Sequence, residues 1–386
     1  MTIGKALDRH AIGAIRYVLI MALTAMFLSV GMAASAQFTT PETGPSVYPG
    51  DVPRGRMIAF ILQQEEAAPS ALELQETIDA SLPEVFGKTS NFINGSDEQQ
   101  RVEADQIKAR TRESFPIVEG GEPILFRVFD VPVLIVPAAR PLPRAEFAAD
   151  WQSRRQFPNA PEVLEQHQAH TIIFALNDPK TTAEQVRAAE AVSVVATAFA
   201  SGANTLGIHW GEADLAIPPA AMVEAFQKAK SDAEAAKAAN QPVKPLWHRL
   251  LTMWVNIRPV TTDVFRAAYG QSLAQKLGED IPNDAVGFVT KGLAGFIGRE
   301  IELIPSGRPA PEQALVLVNL LAYLLDQGQV FKDDDTLGFT EERTIVANIV
   351  EASKLPGMGD TPILRLSYMV EGEAAETLTQ AAGSAN

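Results

Sequence analysis

The stretch from His170 to Trp210 constrains the fold most, because three secondary-structure signals follow one another in it. Residues 172–174 form a short apolar run that predicts a strand core. Thr181, with Glu184 three residues later, makes a capping box that begins a helix. Apolar residues then recur at helical spacing until Gly202 provides a stop: Ala188, Val192, Val195 and Phe199. The alternation of Leu206, Ile208 and Trp210 with polar or small residues predicts a half-buried strand, so the whole stretch predicts a strand–helix–strand unit.

A related arrangement recurs near the C-terminus. Ile301 and Leu303 alternate around Glu302, and Pro311 opens an apolar helix that stops before Gly328. Between the two units, the segment from Leu251 to Ile257 alternates apolar and polar residues and predicts an amphipathic strand. Further strands are predicted over residues 57–62, 123–136, 344–350 and 363–368, and helices over 70–81 and 97–112. Strands and helices interleave without the rhythm of a doubly wound sheet, which predicts an α+β fold with a mixed sheet.

The N-terminal segment has the pattern of a secretion signal. Lys5, Arg9 and Arg16 precede an uncharged run over residues 17–36, which closes on small residues at Ala34 and Ala36. Signal peptidase accepts small residues at these two positions, so we expect cleavage after residue 36. The alternative is an uncleaved anchor in the inner membrane, because the run is long enough to span a bilayer. In both cases the basic flank places the rest of the chain outside the cytoplasm, in the periplasm or beyond it.

The remaining chain divides by composition. Residues 37–56 are rich in proline and glycine and predict an extended tether. Residues 57–368 carry the periodic segments and predict the globular region, and residues 369–386 predict a flexible tail. Residues 228–244 are rich in Ala, Lys and Asp and predict an exposed helix end plus a linker, which would separate lobes over about 57–230 and 245–368.

Charge and cysteine content exclude several classes of partner and chemistry. The formal net charge is −15 and becomes −17 without residues 1–36, which carry three basic residues and one acidic residue. Such a chain repels phosphate backbones, so we expect no nucleic-acid partner, and membrane contact only through an uncleaved signal. The chain has no cysteine, which excludes disulfides, thiolate metal sites and cysteine nucleophiles. We predict no cofactor and no metal site.

Two glycine-containing segments resemble phosphate-binding loops without meeting their requirements. Gly87-Lys88-Thr89 matches the end of such a loop, but Leu82 stands where the first glycine is needed. Gly357-Met358-Gly359 lacks a third glycine, because Pro362 occupies that position. We interpret the second segment as a turn.

Histidines and aspartates supply candidate polar sites. His167 and His170, with Glu165 nearby, and His209 and Glu212 after the paired strand have the residue types of a metal or general-base site. Because His170 begins a predicted strand, its ring is expected to point away from that of His167 and to have a structural role. Residues 333–335 are consecutive aspartates whose side chains point in different directions, which favours a solvated turn over a calcium loop.

Binding residues are predicted among the large aromatics and the histidines. The strand predicted over residues 251–257 places Trp254 on its polar face, where it is either an exposed binding residue or part of a second core layer. The candidate binding residues are His170, His209, Trp210 and Trp254. No serine lies in a nucleophile elbow, so no catalytic residue is assigned and enzyme status stays open.

An ordered set of motifs resembles a known family. The set is VPVLIVPAARPLP (131–143), Trp151, HQAHTIIFAL (167–176), GIHW (207–210), TKGLAGFIGREIEL (290–303) and DDDTLG (333–338). It is similar to the bacterial family called domain of unknown function 4261, over roughly residues 57–368. The resemblance implies a shared fold and supports the domain limits, and it implies no activity.

Together these observations predict a non-catalytic module of the cell envelope that binds a protein or a small molecule, through its sheet face or a cleft between lobes. The first alternative is a hydrolase that uses His170 or His209. The second is an envelope-anchored structural protein, if the signal is retained.

Overall fold

The computed structural model describes residues 57–66, 70–81, 90–92, 123–142, 157–270, 285–338 and 344–368. Within these ranges there are thirteen strands and eight helices. The strands are β1 Ile58–Gln63, β2 Ser90–Phe92, β3 Ile124–Val128, β4 Val131–Ala138, β5 Ala169–Ala175, β6 Thr205–Trp210, β7 Leu215–Ile217, β8 Asn256–Thr261, β9 Val286–Lys291, β10 Glu300–Leu303, β11 Asp335–Gly338, β12 Thr344–Val350 and β13 Ile363–Tyr368. The helices are α1 Ala71–Ser81, α2 Ala160–Gln166, α3 Thr182–Ala200, α4 Pro219–Ala238, α5 Trp247–Trp254, α6 Thr262–Tyr269, α7 Ala294–Ile297 and α8 Ala310–Gln327.

The strands form two sheets, which confirms the α+β prediction. The first sheet has the order β2-β3-β4-β5-β1-β6-β7 and is antiparallel throughout. The second has the order β11-β12-β13-β10-β9-β8 and is mixed, because β10 and β13 are parallel. In the predicted strand–helix–strand unit, β5 and β6 flank β1 instead of pairing with each other, and α3 connects them.

Helix α3 lies at the centre of the molecule. It begins at the predicted capping box, where the Glu184 amide donates to Thr181 Oγ1 (3.2 Å) and the Thr181 amide donates to Glu184 Oε2 (3.0 Å). The helix contacts strands β1, β4, β5 and β6 on one side and helices α7 and α8 on another. Sixteen of its nineteen residues are buried. An apolar helix covered on several sides explains why one hydrophobic cluster continues from the first sheet into the second.

The strand predicted over residues 251–257 is wrong in its first half. Residues 247–254 form helix α5, and strand β8 begins at Asn256. The buried residues of α5 recur at helical spacing: Trp247, Leu250, Leu251 and Trp254. The same letters also alternate, so both periods fit this short segment, and packing of the helix against α3, α4 and α8 selects the helical one. Trp254 is therefore fully buried and does not lie on a polar strand face.

The predicted limits of several helices, strands and segments fall within the described residues. Strands β12 and β13 begin and end at the predicted residues 344, 350, 363 and 368. Helix α4 extends to Ala238, inside the segment predicted as a helix end plus linker, while the division into two lobes stays a prediction. The signal, the tether, the helix over 97–112 and the tail lie outside the described residues. Among the described helices, none has the length and apolar character needed to cross a membrane.

Candidate functional site: a glycine-lined pocket

A pocket of about 420 Å³ lies where three connections meet. These are the β6–β7 turn (residues 211–214), the β9–β10 connection (292–299) and the β12–β13 loop (351–362). Parallel pairing places Glu300 opposite Ile363, so the starts of β10 and β13 are adjacent and their preceding loops meet. The described lining residues are Gly292, Gly295, Gly298, Gly357, Ala294, Met358, Pro362, Thr361, Glu212, Lys291, Glu300 and Asp360.

Glycine allows the β9–β10 connection to approach the first sheet closely. At Gly292, φ is +98°, and an added Cβ would lie 2.6 Å from the Trp254 carbonyl oxygen and 2.9 Å from the Cβ of Ala213. At Gly295, an added Cβ would lie 3.2 Å from the terminal methyl carbon of Met57. A side chain at Gly292 would therefore force the two sheets apart. One wall of the pocket is backbone, which leaves room for a ligand there.

Glu300 fills the polar end of the β9–β10 connection. Its Oε1 accepts hydrogen bonds from the amides of Gly292 (2.7 Å) and Ala294 (3.1 Å). Its Oε2 accepts from Thr290 Oγ1 (2.7 Å) and from the Leu293 amide (3.2 Å). Burial raises the pKa of Glu300, and these four hydrogen bonds oppose that effect. Backbone amides in such a loop are donors for phosphate or carboxylate, but here the protein's own carboxylate occupies them.

Glu212 is a second carboxyl-bearing side chain of the pocket whose pKa is raised by its surroundings. The carboxyl group is partly buried, and its Oε2 accepts a hydrogen bond from the Ile58 amide (3.3 Å). Burial raises the pKa of Glu212 to about 8, against the opposing effect of the Glu212 and Ile58 amides. The carboxyl group is therefore mainly protonated at neutral pH. It can donate a hydrogen bond, or release a proton when a positive charge approaches.

Lys291 connects the pocket to a buried pair behind it. Its ammonium lies 2.9 Å from Asp214 Oδ2, and the other oxygen of Asp214 lies 3.7 Å from His209 Nε2. The second distance is too long for a hydrogen bond. Burial lowers the pKa of His209 to about 4, although Asp214 acts in the opposite direction, so the ring is neutral at pH 7. The positive charge next to Asp214 is that of Lys291.

The four predicted binding residues lie near one another in pairs and outside the pocket lining. The rings of His170 and His209 both lie close to Phe60, with centroid distances of 6.5 and 5.8 Å. His170 Nδ1 donates to the Arg140 carbonyl (2.7 Å), which agrees with a structural role at the start of a strand. Trp210 and Trp254 stack at a centroid distance of 6.1 Å and are fully buried. Both tryptophans are core residues.

The other candidate polar residues hold the backbone. His167 Nδ1 donates to the Leu164 carbonyl (3.0 Å) and its Nε2 accepts from the Leu142 amide (2.8 Å), so both ring nitrogens are occupied. Asp333 Oδ1 accepts from the Ile349 amide at 2.7 Å.

The two aspartates that follow complete the same pattern. Asp334 Oδ1 accepts from Asn348 Nδ2 and Asp335 Oδ2 accepts from the Lys332 amide, each at 2.7 Å. The three aspartates thus stabilise the turn before β11.

The fold and the pocket define an α+β protein with a cavity of small-molecule size. Residues 289–362 match the family described as Domain of unknown function (DUF4261), which confirms the resemblance over about a fifth of the chain. No curated protein and no solved structure matches the chain. All of the described lining residues except Glu212 lie in the matched segment. The part of the chain that resembles the family is therefore the part that builds the pocket.

The pocket residues were not among the predicted site residues, although part of their signal is present in the sequence. Gly292, Gly295 and Gly298 recur every three residues directly after a strand, which indicates a close backbone approach. The segment Gly357–Gly359 is a turn, as predicted, and that turn forms part of the wall. The sequence indicates Glu212 only as a possible oxygen ligand beside His209, because its raised pKa depends on burial by residues distant in the chain.

Proposed function

We propose that the protein is a non-catalytic binding module, and that a small molecule binds in the glycine-lined pocket between the two sheets. The observation that carries the proposal is the pocket itself, whose volume of about 420 Å³ lies within the usual range for small-ligand sites. Its walls combine backbone and apolar surface with a few polar groups, which is the composition typical of such sites. Glu212 is the group that would orient the ligand.

The chemistry of the lining favours binding over hydrolysis. A hydrolase would need a histidine beside the substrate, and neither His170 nor His209 is among the described lining residues. The one observation in favour of the hydrolase is the distance of 3.7 Å between His209 and Asp214. Both side chains are buried behind Lys291, so a substrate in the pocket would not reach the histidine.

The proposal includes an address outside the cytoplasm. The basic N-terminal flank, the apolar run and the small residues at Ala34 and Ala36 support export and cleavage. The tether over residues 37–56 would then precede a globular region in the periplasm or beyond it. Retention of the signal would instead give a protein anchored in the inner membrane and facing outward.

The test compares the full-length chain with a variant whose pocket is filled. Ala294 lines the pocket at the first residue of α7, so Ala294→Leu places a larger side chain in the cavity without altering the backbone donor to Glu300. Ala235→Leu makes the same change on the exposed surface of α4 and serves as the control. Thermal unfolding establishes that both variants are folded.

Each protein is purified from separated cell fractions, and its small molecules are identified by mass spectrometry together with its N-terminus. We expect a molecule that the wild type and the control retain and Ala294→Leu loses. Equal retention by all three proteins, or none by the wild type, contradicts the binding proposal. An N-terminus at Gln37 in the periplasmic fraction supports export, and an intact Met1 in the cytoplasm contradicts it.

A further inference from the structure

We infer that the pocket selects a small organic cation whose ammonium group pairs with the carboxylate of Glu212. This inference rests on the proposed function, since it names the class of small molecule that the pocket takes. The charged groups that surround the cavity support it.

Carboxyl groups outnumber basic groups in the lining. Glu212, Glu300 and Asp360 are carboxyl-bearing, and Lys291 is the basic side chain among the described lining residues. The ammonium of Lys291 lies 2.9 Å from the Asp214 carboxylate, which offsets its charge. Once Glu212 is ionised, the pocket therefore presents a negative field to a ligand, and the acidic balance of the whole chain acts in the same direction.

Three further basic residues lie in or next to the connections that form the pocket: Arg258, Arg299 and Lys354. None of them is among the described lining residues. The guanidinium of Arg258 approaches to within 3.8 Å of the position that a Cβ on Gly357 would occupy, and it donates to the Pro356 carbonyl at 3.5 Å. Arg258 therefore helps to hold the β12–β13 loop.

Among the described residues, the backbone donors at the polar end of the pocket are occupied by the protein itself. The amides that usually bind an anion in a glycine-rich loop donate to Glu300, which is 5 % exposed. A phosphate or carboxylate would have to displace this buried side chain and approach the carboxyl group of Asp360. Because like charges repel in a poorly solvated cavity, anions are the class that the pocket rejects most strongly.

A cationic ligand would supply a counter-charge for the carboxylate of Glu212. Burial raises the pKa of Glu212 to about 8, so the carboxyl group holds a proton that bulk water would otherwise take. A positive charge within about 4 to 6 Å favours the ionised form. An ammonium ligand therefore displaces the proton to solvent and leaves a carboxylate–ammonium pair. A neutral ligand gains only a hydrogen bond.

The experiment uses three probes of similar shape and different charge: isobutylammonium, isobutyramide and isobutyrate. Binding to the full-length chain is measured by ligand-detected NMR titration. At pH 7.5 we expect isobutylammonium to bind at least tenfold more tightly than isobutyramide, and isobutyrate to bind most weakly. Because the binding-competent form is ionised, the affinity for isobutylammonium should rise roughly 25-fold between pH 6.5 and 8.5 for a pKa of about 8, and that for isobutyramide should not rise.

The decisive variant is Glu212→Gln, which keeps the shape of the side chain and an acceptor for the Ile58 amide but cannot ionise. It should lower the affinity for isobutylammonium at least tenfold at pH 8.5 and remove the rise with pH. Glu234→Gln, on the exposed surface of α4, should change neither. Thermal unfolding shows whether the variants are folded.

The outcomes separate this inference from the proposed function. If isobutyramide or isobutyrate binds as tightly as isobutylammonium, or if Glu212→Gln binds isobutylammonium as the wild type does, the cation inference is overturned while the pocket stands. If none of the three probes binds the wild type better than Ala294→Leu, the pocket is not a binding site and the proposed function fails with it.

Discussion

Replacing Glu212 by glutamine should make the protein more stable at alkaline pH. In the folded protein, burial raises the pKa of Glu212 to about 8 from the ordinary value of 4.5. Between these two pH values the folded chain holds a proton that the unfolded chain has released. The free energy of unfolding therefore falls as pH rises through this range. Above pH 8, Glu212 causes no further change. Glutamine does not titrate, so the variant escapes this loss.

The magnitude follows from the difference between the two pKa values. At about 1.4 kcal/mol for each tenfold change in proton affinity, a pKa of about 8 against 4.5 gives an upper limit near 5 kcal/mol. Because the side chain is partly exposed to solvent, we expect about half of this limit, ~2 to 3 kcal/mol, between pH 5 and pH 9.

Urea unfolding followed by tryptophan fluorescence, at constant ionic strength, measures the free energy of unfolding of both proteins at pH 5, 7 and 9. Glu234→Gln sets the baseline for loss of an exposed carboxyl group. A difference between Glu212→Gln and the wild type that stays constant within ~0.5 kcal/mol over this range would refute the argument that Glu212 is held protonated by burial.

Three further substitutions test the packing around the pocket. Glu300→Ala removes the acceptor of four donors, three of them buried, so the free energy of unfolding in urea should fall by at least ~3 kcal/mol; a loss below ~1 kcal/mol would show that water replaces the carboxylate. Trp254→Phe removes the hydrogen bond from Trp254 Nε1 to Ser193 Oγ (2.8 Å) and part of a buried aromatic stack, which should lower the melting temperature and cost ~1 to 3 kcal/mol. Thr181→Ala removes the capping hydrogen bond to the Glu184 amide and should cost ~1 kcal/mol, whereas Thr181→Ser should restore most of it in the same thermal assay.

Much of the fold could be predicted wherever one local pattern was unambiguous. The capping box at Thr181 and Glu184 fixed the start of α3, and unbroken alternation fixed strand β6. The segment at Trp254 could not be assigned correctly, because residues 251–257 satisfy a strand period while residues 247–254 satisfy a helix period. Only contacts with residues far along the chain distinguish the two. Sequence patterns also gave no indication that β1 lies between β5 and β6.

The candidate site depends on contacts between residues distant in the chain more than the helices and strands do. The pocket forms because parallel pairing aligns Glu300 with Ile363 and because Gly292 allows contact with Ala213. Neither contact follows from local spacing. Histidines and tryptophans attract attention in a sequence because of their chemistry, yet His170 holds a loop carbonyl and Trp254 fills the core. The polar group that does face the cavity, Glu212, has nothing in its local sequence to distinguish it from other acidic residues. Its pKa is raised only by burial in the folded chain.

The central position of α3 has a consequence for the order in which the chain can fold. One side of α3 is covered by strands β1, β4, β5 and β6. All of these strands except β6 precede α3 in the chain. Its other side needs Phe296 and the buried face of α8, which ends near Leu325. A chain emerging from a ribosome or a membrane channel therefore displays the side of α3 that α7 and α8 cover until more than a hundred further residues have followed. Such an intermediate is a natural substrate for chaperones, and a truncation before α8 would leave that side exposed.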